Sequence, residues 1–143
     1  MSAELSDRLA RVVDALPLRP GTRVLEIGGA PGAAAREVAR RVAPTGHVLV
    51  LDRSPAGIER TRLGCAAEIA SGLLSTLCAP VESFTLPPET PVFDLAFACR
   101  VGALDGRHPR LHGPALARIR AALAPHGTLY VDTGDPLTRV GLG

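Results

Sequence analysis

Apolar and polar positions along this chain switch repeatedly between a helical and an extended period. Leu5, Leu9, Val12, Val13 and Leu16 recur at steps of three and four, which predicts an amphipathic helix ended by Pro17 and Pro20-Gly21. An apolar run from about Arg23 to Ile27 predicts a first strand, and Gly32 to Val42 a helix. Pro44-Thr45-Gly46 turns into a second apolar run, His47 to Leu51. Ser54-Pro55 is a helix start, a capping hydroxyl followed by proline, and Ile58, Leu63 and Ile69 predict one helix to about Ala70. A short third strand falls within Leu74 to Cys78. Leu86-Pro87-Pro88-Glu89-Thr90-Pro91 is a connection, Val92 to Ala98 a fourth strand, and Cys99 to His112 a loop. Leu116, Ile119 and Leu123 share a face of a last helix broken by Pro125-His126-Gly127, and Thr128 to Val131 is a fifth strand.

Apolar strands alternating with helices require a mostly parallel sheet covered on both faces and joined by right-handed crossovers. The expected fold class is α/β, a Rossmann-like doubly wound sheet in one domain spanning 1–143. Residues 1–20 are expected to pack a helix on the sheet, and 133–143 to form a short tail.

The chemistry concentrates at the end of the first strand. Val24-Leu25-Glu26-Ile27-Gly28-Gly29-Ala30-Pro31-Gly32 is an apolar run that stops in a glycine-rich turn and feeds straight into a helix. That order leaves unpaired backbone N–H groups around a cofactor-sized hollow. The second strand ends in Asp52, 20 positions after Gly32, within reach of ribose hydroxyls there. Together the two strand ends describe a nucleoside site. A dinucleotide fingerprint needs glycine at its first, third and sixth positions, which here read Gly28, Ala30 and Ala33. One match in three disfavours a nicotinamide oxidoreductase.

Glu26, Gly28, Ala30 and Gly32 fit the pattern acidic-x-Gly-x-Gly-x-Gly, with alanine at the middle glycine. In this the chain resembles motif I of the class I S-adenosylmethionine-dependent methyltransferases, which also use an Ala-Pro-Gly turn. The resemblance runs from about Arg23 to Asp132. It implies S-adenosyl-L-methionine as cofactor, a strand order 3-2-1-4-5, and a site across the carboxyl ends of strands one, two and four. By position it implies that Gly28, Gly29, Ala30 and Gly32 lie against the methionine part and that Glu26 helps hold it. It places Asp52 at the ribose, with Arg53 beside it, and Cys99 at the cofactor after strand four. The family's acid after strand three is missing from Ala79-Pro80-Val81-Glu82, so the N–H of Val81 or the carboxylate of Glu82 would meet adenine. Family members add an antiparallel pair of strands after the fifth, and the 11 residues Thr133 to Gly143 are too few for that hairpin. The fifth strand is then an exposed edge unless Asp135 to Leu142 or a second subunit covers it. A homodimer through that edge or the tail is one such cover.

Methyl transfer from a sulfonium has a good leaving group, so alignment of the acceptor supplies much of the acceleration and a base is optional. Residues after strands four and five border the methyl in the family, which singles out Cys99, Arg100, Asp105, Arg107, His108, Asp132 and Asp135. Among these, His108 can take a proton from an acceptor hydroxyl or amine, and Arg100 can hold an anionic substrate through its planar fork. Asp94-Leu95-Ala96-Phe97 stands where base amino methyltransferases carry an Asp-Pro-Pro-aromatic motif. The chain has no lysine for ribose methylation and no asparagine for a catechol-type metal site. His108 and His112 are four apart with Pro109 between them, so no metal is expected. The acceptor classes left are small molecules and proteins, and the function read here is S-adenosylmethionine-dependent methylation of an unidentified acceptor, with a small molecule favoured. The alternative is a noncatalytic module that binds S-adenosylmethionine or S-adenosylhomocysteine, or a partner subunit.

Composition narrows the setting. With 3% aromatic residues and a net charge of +2, the chain lacks both the stacking platform and the basic excess of a nucleic-acid binder. No apolar run approaches the length of a membrane helix, and the N-terminus lacks a signal-peptide core, so the expected location is cytoplasmic. Cys65, Cys78 and Cys99 have no paired spacing and are expected to be buried free thiols.

Overall fold

The computed structural model describes residues 4–142, so Met1 to Ala3 of the N-terminal segment and Gly143 of the tail lie outside the described residues. Five strands run parallel in the order expected, and a sixth joins them antiparallel. The strands are β1 (Arg23–Ile27), β2 (His47–Asp52), β3 (Leu74–Cys78), β4 (Phe93–Ala98), β5 (Leu123–Val131) and β6 (Thr138–Val140). Their order across the sheet is β3-β2-β1-β4-β5-β6. The helices are α1 (Asp7–Ala15), α2 (Ala33–Val42), α3 (Pro55–Gly64), α4 (Ala66–Ala70) and α5 (Pro109–Ala122).

Alternation along each strand divides the core in two. Val24, Val48, Val50, Leu95 and Phe97 face α1 and α2, where Val12, Val13, Ala34, Ala35, Val38 and Val42 meet them. Leu25, Ile27, Leu49, Leu51, Leu129 and Val131 face the other way, onto Ala115 and Ile119 of α5 and onto Phe84. The alanines of α2 let its backbone ride close to the sheet, which brings the helix N-terminus down to the end of β1.

The structure meets one expectation with the tail and corrects five others. Of the two covers open to the β5 edge, the tail takes that place: Leu129, Tyr130 and Val131 pair with Val140, Arg139 and Thr138. The single helix expected to Ala70 is broken at Cys65, whose backbone leaves helical angles while its thiol, fully buried, points at the Gly32 carbonyl. Leu63, expected on the buried face, is 69% exposed. Strand five starts at Leu123, because Pro125-His126-Gly127 forms a bulge between the Phe93 and Leu95 registers instead of a separate loop. Cys78, at the end of the edge strand β3, is exposed, so only Cys65 is a fully buried thiol. The last helix also begins earlier than its apolar spacing predicts, with Pro109 in its first turn.

Candidate functional site

The end of β1 is shaped by what its glycines lack. Gly28 has φ +70° and its N–H continues the ladder to the Leu51 carbonyl at 2.7 Å. A Cβ there would stand 2.7 Å from Val101 Cγ2. Gly32, the N-cap of α2, has φ +100° and offers no capping side chain. A Cβ at Gly32 would lie 2.8 Å from Cys65 Sγ and 3.0 Å from Thr61 Cγ2. Both a left-handed backbone and overpacking therefore penalise Gly32→Ala, and a loss of about 2 kcal/mol is expected. Denaturant unfolding of that variant measures it; an unchanged midpoint would show that α3 yields freely.

Two carboxylates serve this turn in different ways. Asp52, half-buried at the end of β2, accepts the Ala30 N–H on Oδ2 at 3.1 Å and the Ser54 N–H on Oδ1 at 2.9 Å. It thereby ties the β1 turn to the start of α3. Glu26 is 4% exposed, and its Oε1 has no hydrogen-bond partner. Its carboxyl carbon would be 2.6 Å from a Cβ on Gly29, so the acid lies directly against the glycine turn. Burial, and after it the charge of Asp52, raises the Glu26 pKa to about 8. Burial, then Asp132, likewise pushes the Cys99 thiol up to about 11, which leaves it a neutral wall.

A cavity of about 330 Å³ opens across the carboxyl ends of β3, β2, β1 and β4. Of the residues singled out in the sequence, Gly28, Asp52, Arg53, Val81, Glu82, Arg100, Arg107 and His108 line it. Glu26, Gly29, Ala30, Gly32 and Cys99 stand outside its lining, the first three forming the folded turn and its support. Val101, Gly102 and Leu111 also line the cavity and have no sequence signal of their own. His108 caps α5 without a side-chain bond, its N–H reaches the Gly102 carbonyl at 2.9 Å, and a Cβ on Gly102 would meet its ring at Cδ2. The smallness of Gly102 makes room for that imidazole, and this relation is invisible until the loop is folded. Asp132 accepts the Arg100 N–H at 2.9 Å, whereas Asp135 pairs with Arg11 on the surface. Among the described residues no cluster of three His, Cys, Asp or Glu side chains is placed to hold a metal, and no helix is long and apolar enough to cross a membrane.

The family described as methyltransferase domain matches residues 24–127, the stretch from β1 to the bulge of β5. The chain belongs to the methyltransferase domain family. This methyltransferase domain is 34% identical over 115 residues to the ubiquinone/menaquinone biosynthesis C-methyltransferase UbiE of Bordetella avium, a match covering 80% of the chain and 41% of that protein. Its fold superposes on a SAM-dependent methyltransferase from Aquifex aeolicus with a TM-score of 0.69 at 17% identity, over 89% of this chain and 63% of that one. A second structure, a SAM-dependent methyltransferase from Thiobacillus denitrificans in complex with S-adenosyl-L-homocysteine, gives 0.66 at 19% identity, over 90% of this chain and 48% of that one. The methyltransferase domain thus spans less than two thirds of the length of each of these proteins.

Proposed function

We propose that this chain binds S-adenosyl-L-methionine across the ends of β1, β2 and β4 and transfers its methyl group to a small-molecule acceptor. The observation that carries the reading is the buried, unpartnered Oε1 of Glu26 beneath a glycine turn whose backbone is tied to Asp52. An orphaned carboxyl oxygen inside a protein is costly unless a ligand supplies its partner, and the ammonium of a bound amino acid moiety is such a partner. Bound there, the cofactor supplies a methyl group activated by a positive sulfur.

The chain's own residues then divide the work. Glu26 holds the ammonium, and the backbone of Gly28, Gly29, Ala30 and Gly32 provides a surface without side chains for the amino acid moiety. Asp52, with a lone pair left on each oxygen after its two backbone bonds, accepts from the ribose hydroxyls. Arg53, Val81 and Glu82 flank the base, and Cys99 closes the methionine end as an uncharged group. His108, exposed on the cavity's far wall, is the proton acceptor for an acceptor hydroxyl or amine.

Thermal unfolding with S-adenosylmethionine, S-adenosylhomocysteine and NADH added separately tests the assignment. A ligand at about 100 times its dissociation constant stabilises by roughly 2.7 kcal/mol. A rise with both sulfur nucleosides and none with NADH is expected. A rise with NADH alone, or with none of the three, would overturn the reading.

A further inference from the structure

Arg100 is built in a way that its own chain does not repay. It is one of two non-glycine residues with a left-handed backbone among those described, at φ +57°, and it leads the chain out of β4 into the cavity wall. Glycine occupies that conformation without penalty, and a long side chain does not. An arginine kept there is a strained choice, and strain of this kind persists where the side chain has a task.

No group of this chain supplies that task. The nearby carboxylate of Asp132 is engaged with the Arg100 backbone N–H, and the guanidinium of Arg100 makes no ion pair or hydrogen bond among the described residues. Arg107 on the same wall shows the contrast, since its guanidinium closes on Asp105 with contacts of 2.9–3.0 Å. Arg53 faces the cavity from the end of β2 and is likewise without a carboxylate. Arg53 and Arg100, one after each strand that neighbours β1, thus line the cavity on either side of Gly28.

This inference rests on the cofactor reading. S-adenosylmethionine carries a net positive charge, met by Glu26 and Asp52 from the ends of β1 and β2, and its one carboxylate is the sole group it offers to Arg100. We propose that Arg100, assisted by Arg53, binds the methyl acceptor through an oxyanion, a carboxylate or phosphate that the planar guanidinium fork matches. The acceptor is therefore an acidic small molecule, anchored at one end while the atom to be methylated reaches the cofactor.

Calorimetric titration of the S-adenosylhomocysteine-saturated protein with benzoate, its neutral isostere benzamide, and inorganic phosphate tests the proposal. At least one of the two anions is expected to bind and benzamide not to. Arg100→Gly is expected to keep the melting temperature, since the left-handed backbone suits glycine, and to weaken anion binding about tenfold or more. Arg53→Ala should weaken it by a smaller factor. The other source of an oxyanion is the cofactor's own carboxylate, so the affinities of S-adenosylhomocysteine and of 5′-methylthioadenosine, which lacks it, are compared in Arg100→Gly. A loss confined to S-adenosylhomocysteine would overturn the acceptor assignment, as would unchanged anion affinity in the variant or failure of both anions to bind the unaltered protein. Were S-adenosylhomocysteine itself not to bind, the cofactor reading would fall, and the same titrations on the unliganded protein would still decide whether Arg100 holds an anion.

Discussion

Asp52→Ala is expected to abolish the stabilisation of this protein by S-adenosylhomocysteine, with a loss of affinity of about 100-fold or more. Each charge-assisted hydrogen bond is worth roughly 1.5–3 kcal/mol, and a carboxylate that accepts from both ribose hydroxyls forfeits two of them. The substitution also releases the Ala30 and Ser54 N–H groups, now held at 3.1 and 2.9 Å, so the β1 turn and the start of α3 lose their common tether. Asp52→Asn keeps one acceptor oxygen and should lose about tenfold by the same arithmetic. Calorimetric titration of the three proteins gives the series directly. Equal affinities across it would remove Asp52 from the site and leave it a purely architectural tie.

The second large effect is a dependence of cofactor affinity on pH that originates at Glu26. Its pKa is raised to about 8, first by burial and then by Asp52, so below that pH the unliganded protein holds a neutral acid. A ligand ammonium favours the carboxylate, and binding must expel that proton. Affinity for S-adenosylhomocysteine should therefore rise about tenfold per pH unit up to about pH 8 and then level off. The protein's own stability runs the opposite way. A carboxyl whose folded pKa lies above its unfolded value contributes stability that is complete below the ordinary carboxylate range and is lost as pH rises through the folded value. Between pH 4.5 and about 8 the unliganded protein should weaken by a few kcal/mol, at about 1.4 kcal/mol per pKa unit. Glu26→Gln should flatten both profiles and bind the ligand weakly at every pH. A steep affinity profile retained in Glu26→Gln would locate the proton elsewhere.

These two carboxylates also show how far the sequence could be read. Glu26 and Asp52 were legible because each ends or nearly ends an apolar run, and the spacing between the turn and Asp52 matches a strand-helix-strand unit. Strands β1, β2 and β4 were legible for the same reason, each a dense apolar run bounded by turn residues, whereas β3 mixes polar and apolar residues and β5 was legible only from Thr128. The residues missed had no such marker. Val101, Gly102 and Leu111 are ordinary apolar or small residues in a stretch without periodicity, and they line the cavity only because the β4 exit folds back over Gly28. The strand β6 escaped notice because three residues carry too little pattern to register, and its pairing with Leu129 to Val131 depends on the turn at 132–137.

The order of residues alone settled the alternation of strands and helices, the glycine turn after β1 and the acid at the end of β2, because propensity, periodicity and turn chemistry act over only a few neighbouring residues. Packing between distant segments decided the rest. It bent the helix at Cys65 to seat a thiol against Gly32, left Glu26 buried without a partner, and laid a sixth strand on the open edge of β5. It also spent Asp132 on the Arg100 backbone, leaving that guanidinium free at the cavity. Each of these turns on which surfaces exclude water from one another, a property of the assembled sheet and helices that no short stretch of the chain contains.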